Sequence, residues 1–159
     1  MTKVSVILPT YNESENIEPL VREIRNQLLQ QHCEDFEIVV VDDSSPDGTA
    51  EIVKNLSGED PRIRAIARDA NPGLALSILD GIRQSTGEWV MIMDSDFNHD
   101  PSDIPVFLAN SRFFDIIIGS RYVTGGGMLT SQFRYWGSYV FNHFIKFVLM
   151  LKTNDNLSG

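Results

Sequence analysis

The sequence is poor in cysteine and in basic residues, and it contains no long apolar run. Cys33 is the one cysteine among 159 residues, so no disulfide can form within the chain. Basic residues number 13 against 22 acidic ones, giving a net charge of −9, which argues against nucleic acid as a partner. No apolar stretch approaches the roughly 20 residues that span a bilayer. Near the N-terminus, the apolar run 4–8 stops at Pro9 and is too short for a signal peptide.

The chain also lacks the Gly-x-Gly-x-x-Gly turn that opens a nicotinamide-binding domain. Residues 4–8 have the pattern of a first strand, and Pro-Thr-Tyr-Asn-Glu follows them where the glycines would stand. Because those glycines let the backbone approach a pyrophosphate, their absence excludes a dehydrogenase domain of that type.

Short apolar runs alternate with segments of helical periodicity along most of the chain. The predicted strands are residues 4–8, 36–41, 63–67, 89–93 and 115–118. Apolar residues at three- and four-residue spacing predict helices over 17–28, 49–56 and 73–85, and a further helix that starts near Ser102. This order predicts an α/β fold, a mostly parallel sheet with helices on both faces.

Three local features of these helices lead to further predictions. In the third helix, Leu76, Leu79 and Ile82 share one side, which we expect to face the sheet. Gly87 is expected to cap the end of that helix. Asn12, with Glu15 three residues later, predicts a capping box at the start of the first helix.

Acidic clusters directly follow two of the predicted strands. Strand 36–41 runs into Asp42-Asp43, and strand 89–93 runs into Asp94-Ser95-Asp96. Because successive side chains of an extended chain alternate faces, Asp94 and Asp96 point the same way. Two carboxylates so close repel each other unless a cation lies between them or one is protonated. The pair therefore indicates either a site for Mg2+ or Mn2+ or a solvated polar turn.

Polar clusters stand at four predicted strand ends, which favours the metal site over the turn. They are residues 9–13, Asp42-Asp43, residues 94–96 and Gly119-Ser120-Arg121. The carboxyl ends of parallel strands lie at one edge of the sheet, where ligands bind in such folds. We therefore expect a single site at this edge.

The C-terminal part of the chain differs in charge from the rest. Residues 1–115 carry 9 basic and 21 acidic side chains, whereas residues 116–159 carry 4 basic ones and Asp155 alone. Arginine suits bidentate recognition of phosphate, so this part predicts an anionic partner. Its aromatic-rich stretch 133–151 is interpreted as a core helix, a dimer face or a helix lying on lipid.

Four segments together carry a resemblance to a known family. They are residues 8–13 (Leu-Pro-Thr-Tyr-Asn-Glu), 40–49 (Val-Val-Asp-Asp-Ser-Ser-Pro-Asp-Gly-Thr), 93–101, and 119–122 (Gly-Ser-Arg-Tyr) with the glycines at 125–127. The chain resembles the inverting glycosyltransferases of family 2, and within them the dolichol-phosphate mannose synthase and polyprenyl-phosphate branch. The resemblance implies one Rossmann-like GT-A domain over 1–159, with 1–120 binding the nucleotide sugar and 121–159 beginning the acceptor part. It also implies that the chain is incomplete at its C-terminus.

The resemblance implies a role for three sets of residues. Those at the nucleotide sugar are Pro9, Tyr11, Glu13, Asp42, Asp43 and Asp94. Those at the metal are Asp94, Asp96 and Asn98, and those at the acceptor phosphate are Arg121, Arg134 and Ser138; Asp94, Asp96 and Arg121 would act in catalysis. Two positions depart from the family pattern: Ser95 stands where alanine is usual, and Asn71 where lysine is frequent.

The implied activity is a metal-dependent, inverting transfer of a hexose from a nucleotide sugar such as GDP-mannose to a polyprenyl phosphate, with mannose favoured. The sequence supports a phosphate acceptor independently, because residues 116–154 contain no carboxylate to act as a general base. A lipid monophosphate is already largely dianionic at neutral pH and needs little or no base. Peripheral contact at the cytoplasmic face of a membrane is expected. Two alternatives remain: a UDP-sugar transferase acting on a saccharide or protein hydroxyl, and a non-catalytic nucleotide-sugar-binding module.

Overall fold

The computed structural model describes residues 3–120. The chain divides into two compact units, the first ending at Phe114 and the second beginning at Asp115. The elements of the first unit, in chain order, are β1 (Val4–Thr10), α1 (Ile17–Gln30), β2 (Phe36–Asp42), α2 (Thr49–Glu59), β3 (Ile63–Ala67), α3 (Leu74–Gln84), β4 (Trp89–Ile92), a 3-10 turn (Pro101–Asp103) and α4 (Ile104–Asn110). The predicted alternation of strands and helices is confirmed.

The four strands form one parallel sheet in the order β3-β2-β1-β4. Val4 at the start of β1 pairs with Phe36 of β2 and with Trp89 of β4, and Thr10 at its end pairs with Asp42. The chain therefore leaves the central strand in one direction to build β2 and β3, and then crosses over to build β4. In such sheets the crevice for ligands lies at the carboxyl ends of the strands between which the direction changes, here β1 and β4.

Helices cover both faces of the sheet, as predicted. On one face, α1 buries a stripe of five apolar side chains, Ile17, Leu20, Val21, Ile24 and Leu28, in a core shared with alternate residues of the strands and with residues of α2 and α4. On the other face, Ile7, Val39 and Val41 form a smaller buried cluster, and α3 lies against it at Gly81. None of the helices within residues 3–120 has both the length and the apolar composition needed to cross a bilayer.

Helix α3 packs through small residues, and the prediction that Leu76, Leu79 and Ile82 face the sheet is wrong. These three side chains are 40–44% exposed, whereas Ser77 and Gly81, four residues apart, are the buried positions of the helix. A Cβ built on Gly81 would lie 2.5 Å from Cγ2 of Ile7. The helix backbone therefore lies so close to β1 that larger side chains on that side have no room.

Three other local predictions are also wrong. Helix α1 begins at Ile17 with Asn16 at its N-cap, so Asn12 and Glu15 form no capping box. Helix α3 ends at Gln84 with Ser85 as its C-cap, and Gly87 instead allows a close approach to β1, where its N–H donates to Oγ of Ser5 at 2.8 Å. Residues 115–118 form no strand. An apolar run becomes a strand only where it exchanges backbone hydrogen bonds with another strand. Residues 115–118 pair with none of the strands within residues 3–120.

A buried carboxylate joins β1, β2, β3 and the loop before β4 at the opposite, amino edge of the sheet. Glu37 accepts hydrogen bonds from Oγ of Ser5 at 2.7 Å, from the N–H and hydroxyl of Thr86, and from the guanidinium of Arg64 at 2.7 Å. Burial by itself would raise the pKa of Glu37, but these hydrogen bonds outweigh it and lower the pKa to about 2. The negative charge at this edge thus stabilises the sheet.

Replacing Glu37 with glutamine is expected to lower the free energy of unfolding at pH 7 by about 2 kcal/mol, because charge-assisted bonds are lost and Arg64 loses its charged partner. Since the pKa is lower in the folded chain, the contribution is present above the ordinary value of 4.5 and is lost as the pH falls towards about 2. Urea unfolding at pH 7 and pH 3 measures this. Glu59→Gln, in an exposed ion pair with Arg22, is the control and should change stability by less than about 0.5 kcal/mol. An equal loss for Glu37→Gln at both pH values would contradict the prediction.

Candidate active site

The loop that follows β1 is fastened to the loop that follows β2 by three backbone N–H groups. Asn12 donates to Oγ of Ser45 at 2.9 Å, Glu13 donates to Oγ1 of Thr49 at 3.1 Å, and Ser14 donates to Oδ2 of Asp47 at 2.9 Å. The Thr49 hydroxyl and the Ser14 N–H, among others, hold the pKa of Asp47 well below its ordinary value. The two predicted clusters at the ends of β1 and β2 therefore form one continuous surface.

Asp42 and Asp43 lie at this edge as predicted, but their side chains have different surroundings. Asp42 is buried, and its carboxylate accepts hydrogen bonds from the hydroxyl of Thr10 at 2.9 Å and from the hydroxyl and N–H of Ser45. These bonds fix the turn after β2. Asp43 points instead towards the loop that follows β3, where it meets Arg68 and the N–H of Gly73.

The predicted metal motif follows β4, and its side chains alternate between accessible and buried. Met93 continues the ladder by donating its N–H to the carbonyl of Ile7, and Ser95 is buried with its hydroxyl donating to the carbonyl of Pro9 at 3.0 Å. Asp94 and Asp96 are more accessible than Ser95 between them. The prediction that the middle side chain of the motif points away from the carboxylate pair is confirmed. Ser95 thereby ties the motif to the end of β1.

Two neighbouring side chains order the acidic loop. Asn98 donates to Asp96 twice, from its backbone N–H at 3.0 Å and from Nδ2 at 2.5 Å, which leaves the amide oxygen of Asn98 as an acceptor beside that carboxylate. His99 accepts the N–H of Asp94 on Nδ1 at 3.0 Å, and its Nε2 lies 3.7 Å from Oδ2 of Asp94. His99 therefore helps to fix the shape of the loop.

The oxygen atoms of this loop fit a hard divalent cation that takes some of its ligands from the protein and the others from a bound substrate. Within residues 3–120 no group of three His, Cys, Asp or Glu side chains converges as a complete protein cage. Mg2+ is commonly held by one or two carboxylates together with substrate phosphates, and all of its ligands are oxygens. Asp94, Asp96 and the amide oxygen of Asn98 supply oxygens of that kind.

Left-handed backbone conformations of residues other than glycine concentrate at the same edge. One such residue follows each strand: Asn12 after β1 (φ 60°), Ser44 after β2 (φ 55°), Asn71 after β3 (φ 52°) and Phe97 after β4 (φ 63°). Such conformations are costly and are found preferentially at ligand sites. Tyr11, next to Asn12, is 60% exposed. Each of the four loops therefore contains a costly left-handed residue at the edge of the sheet where the sequence predicts a ligand.

The fourth predicted cluster does not follow a strand, since residues 115–118 form none. Arg121, Arg134 and Ser138, predicted to meet phosphate, lie outside the described residues. In contrast, sequence reasoning assigned no role to Arg68, which lies in the centre of the contacts between the loops after β2 and β3. A signal was present: Arg68 is the first residue after a predicted strand, at the same edge as the acidic clusters.

Known structures resemble this fold, and known sequences resemble this chain over most of its length. A mannosyltransferase from Pyrobaculum calidifontis, solved in complex with GDP-Man and Mn2+, superposes with a TM-score of 0.53 at 34% identity, over 60% of this chain and 28% of that one. A dolichol-phosphate mannosyltransferase of Pyrococcus furiosus is 45% identical over 78% of this chain, and one of Mycosarcoma maydis is 34% identical over 78%.

The parallel sheet, its covering helices and its likeness to solved sugar-nucleotide enzymes define the class as a GT-A glycosyltransferase domain. The family model described as glycosyl transferase family 2 matches residues 5–159, and the chain belongs to that family. The chain spans 34% of the length of the Pyrococcus relative and 44% of the Mycosarcoma one.

Proposed function

We propose that this domain binds a nucleotide sugar at the carboxyl edge of its sheet and passes the hexose to a polyprenyl phosphate. The observation that carries the proposal is the placement of Asp94 and Asp96 at the end of β4, with Ser95 turned inward onto β1. This puts two accessible carboxylates at the crevice between β1 and β4, where ligands bind in sheets of this topology. The family supports glycosyl transfer, and the two curated relatives, both named dolichol-phosphate mannosyltransferases, support a polyprenyl phosphate acceptor.

The nucleoside end of the donor would lie over the joined loops after β1 and β2. Tyr11 offers an exposed aromatic ring there, and Glu13 and Asp43 offer carboxylates that can accept the N–H and O–H groups of a base and ribose. Pro9 lines the floor, because its carbonyl is held by Ser95. Asp42 would contribute indirectly, by fixing the turn that carries Asp43.

The diphosphate end would lie at the acidic loop. Asp94, Asp96 and Asn98 would hold Mg2+ or Mn2+, an ion that stabilises the negative charge on the departing nucleoside diphosphate. The chain prepares this arrangement by itself: Asn98 orients the Asp96 carboxylate, and His99 fixes the backbone of Asp94. A cation shared between protein and diphosphate also explains why two carboxylates suffice.

The acceptor would be bound by Arg121, Arg134 and Ser138. Arginine binds phosphate through two parallel N–H donors, and residues 116–154 contain no carboxylate that would repel a phosphate. The lipid tail of such an acceptor requires the domain to work at a membrane surface, and we place it at the cytoplasmic face. Mannose is favoured as the sugar because the Pyrobaculum structure was solved with GDP-Man and the curated relatives are named mannosyltransferases.

A thermal-shift screen of GDP-mannose, UDP-glucose and UDP-GlcNAc, each with Mg2+, Mn2+ or EDTA, tests the proposal. We expect GDP-mannose with a divalent ion to bind most tightly and therefore to raise the unfolding midpoint most. A ligand at 100 times its dissociation constant stabilises a fold by about 2.7 kcal/mol. Transfer of labelled sugar to a short-chain polyprenyl phosphate is then measured. A larger shift with a UDP-sugar would indicate the alternative donor, and binding without any transfer would indicate a binding module.

A further inference from the structure

A buried arginine lies behind the proposed nucleoside site and contacts three segments of the chain. The side chain of Arg68 is 8% exposed. Its Nε donates to Oδ2 of Asp80 in α3 at 2.8 Å, one terminal nitrogen donates to Asp43 and to Oγ of Ser77, and the other donates to the carbonyl of Asn71 at 3.0 Å. All three nitrogens of the guanidinium are therefore held by hydrogen bonds within the protein.

Asp43 is held at both of its oxygens. Oδ1 accepts from Arg68, and Oδ2 accepts the N–H of Gly73 at 2.7 Å, at the start of α3. Burial opposes ionisation of this carboxyl group, but the Gly73 N–H, the Ser77 hydroxyl and Arg68 outweigh it and lower the pKa of Asp43. The two oxygens carry four lone pairs between them, so an acceptor position remains on the carboxylate after these three bonds.

Backbone contacts add to this clamp. The N–H of Arg68 donates to the carbonyl of Asp42 at 2.8 Å, and its carbonyl accepts the hydroxyl of Ser44 at 2.6 Å. Ser44 and Asn71, on either side of the arginine, are both left-handed. Arg68 thus joins the turn after β2, the loop after β3 and helix α3 around one carboxylate.

A buried ion pair is weak evidence for stability, because desolvation of the two charges offsets their attraction. What such a pair does provide is a fixed direction, and a planar guanidinium with several donors fixes direction better than the ammonium of lysine. Here the fixed group is a carboxylate that the proposed function places at the nucleoside.

We propose that Arg68 is a positioning residue for the nucleoside of the donor: it holds Asp43 in the orientation in which the remaining acceptor position of the carboxylate receives an N–H or O–H group of the base or ribose. This rests on the proposed function, because it requires a nucleotide at this edge. Arg68 itself touches no ligand and acts through Asp43.

A double-mutant cycle between Arg68→Lys and Asp43→Asn tests the coupling. Calorimetry with Mn2+ measures the affinity for GDP or UDP, whichever binds the wild-type chain more tightly. Arg68→Lys is expected to weaken binding about tenfold and Asp43→Asn at least as much, the range for a hydrogen bond to a charged group. In the Asp43→Asn background, Arg68→Lys is expected to change affinity less than about twofold. An equal loss in both backgrounds, or no loss with Asp43 present, would overturn the positioning role.

Asp80→Asn is the matched control, because it removes the charge of another partner of Arg68 in the same network while leaving the contact with Asp43. It is expected to keep affinity within about twofold of wild type even where urea unfolding shows lower stability. If Arg68→Lys and Asp80→Asn each lost affinity in proportion to their loss of stability, Arg68 would have only a structural role.

Asp43→Glu tests the same idea without altering Arg68, should Arg68→Lys fail to fold. It keeps the charge but moves the carboxylate by one methylene, so the bonds to Arg68 and Gly73 cannot both form. We expect affinity to fall about as far as in Asp43→Asn; wild-type affinity would overturn the inference. Full affinity in Asp43→Asn would remove the nucleoside role of Asp43 while leaving donor binding intact. Absence of any nucleotide binding by the wild-type chain would remove the proposed function itself.

Discussion

Replacing Asp94 or Asp96 with asparagine is expected to abolish the metal-dependent part of donor binding and to lower sugar transfer by about 1,000-fold or more. Asparagine has nearly the same shape but no charge, so the stabilisation of a bound divalent cation is lost. A metal ion contributes several kilocalories per mole to the stabilisation of developing charge, and each 1.36 kcal/mol is a factor of ten in rate. The affinity of either variant for GDP-mannose with Mn2+ should equal that of the wild-type chain with EDTA, as measured by calorimetry.

Ser95→Ala is the matched control for this experiment. Ser95 stands between the two carboxylates, but its side chain is buried and donates to the carbonyl of Pro9. Alanine should leave metal-dependent binding unchanged, while the lost hydrogen bond lowers the free energy of unfolding by about 1 kcal/mol. Wild-type metal dependence in both aspartate variants would refute the metal site. An equal loss in all three variants would show that the loop had merely been distorted.

Replacing Gly81 with valine is expected to lower the free energy of unfolding by about 3 kcal/mol. A Cβ at this position would lie 2.5 Å from Cγ2 of Ile7 and 3.1 Å from Cγ2 of Val41, so even its first carbon has no space. Ile7 is fully buried in the central strand, and a β-branched side chain there cannot rotate away easily. Overpacking of a filled core costs about 1–3 kcal/mol. Valine gains less than about 0.5 kcal/mol over glycine in helix propensity, which does not compensate.

Gly58→Ala in α2 is the matched control for the helical glycine. A Cβ at Gly58 would meet nothing within 4 Å, so alanine there should raise the free energy of unfolding by up to about 1 kcal/mol through helix propensity alone. Urea unfolding measures both variants. If Gly81→Val were as stable as wild type, α3 could not lie as close to β1 as the structure has it.

The sequence predicted the strands that build the sheet better than it predicted the faces of its helices. The four strands of the sheet were located correctly because each is a compact apolar run with polar residues at its ends. The stripe on α1 was also correct, since that helix packs through large apolar side chains. The rule failed for α3, because its contact with the sheet is made by Ser77 and Gly81, which carry no hydrophobic signal. It failed again at residues 115–118, because a strand requires a partner that apolar periodicity cannot reveal.

The candidate site shows the same division. The alternation of an extended chain was enough to predict that Ser95, between Asp94 and Asp96, turns inward. The sequence does not reveal the partners of the two neighbouring acids: the carboxylate of Asp42 is enclosed by Thr10 and Ser45, whereas that of Asp43 is held by Arg68. Thr10 is 32 residues from Asp42 along the chain, and Arg68 is 25 residues from Asp43, so only the folded chain brings each pair together.

By itself the sequence determined the class of fold, the edge of the sheet at which the candidate site lies, and the acidic pair to which we assign its chemistry. These are local properties, since periodicity and short motifs act within a few residues along the chain. The tertiary structure alone decided that α3 approaches β1 through glycine, that Ser95 is tied to Pro9, and that Arg68 holds Asp43. Each of these is a contact between distant segments, and such contacts depend on which surfaces the packed sheet and helices bring together.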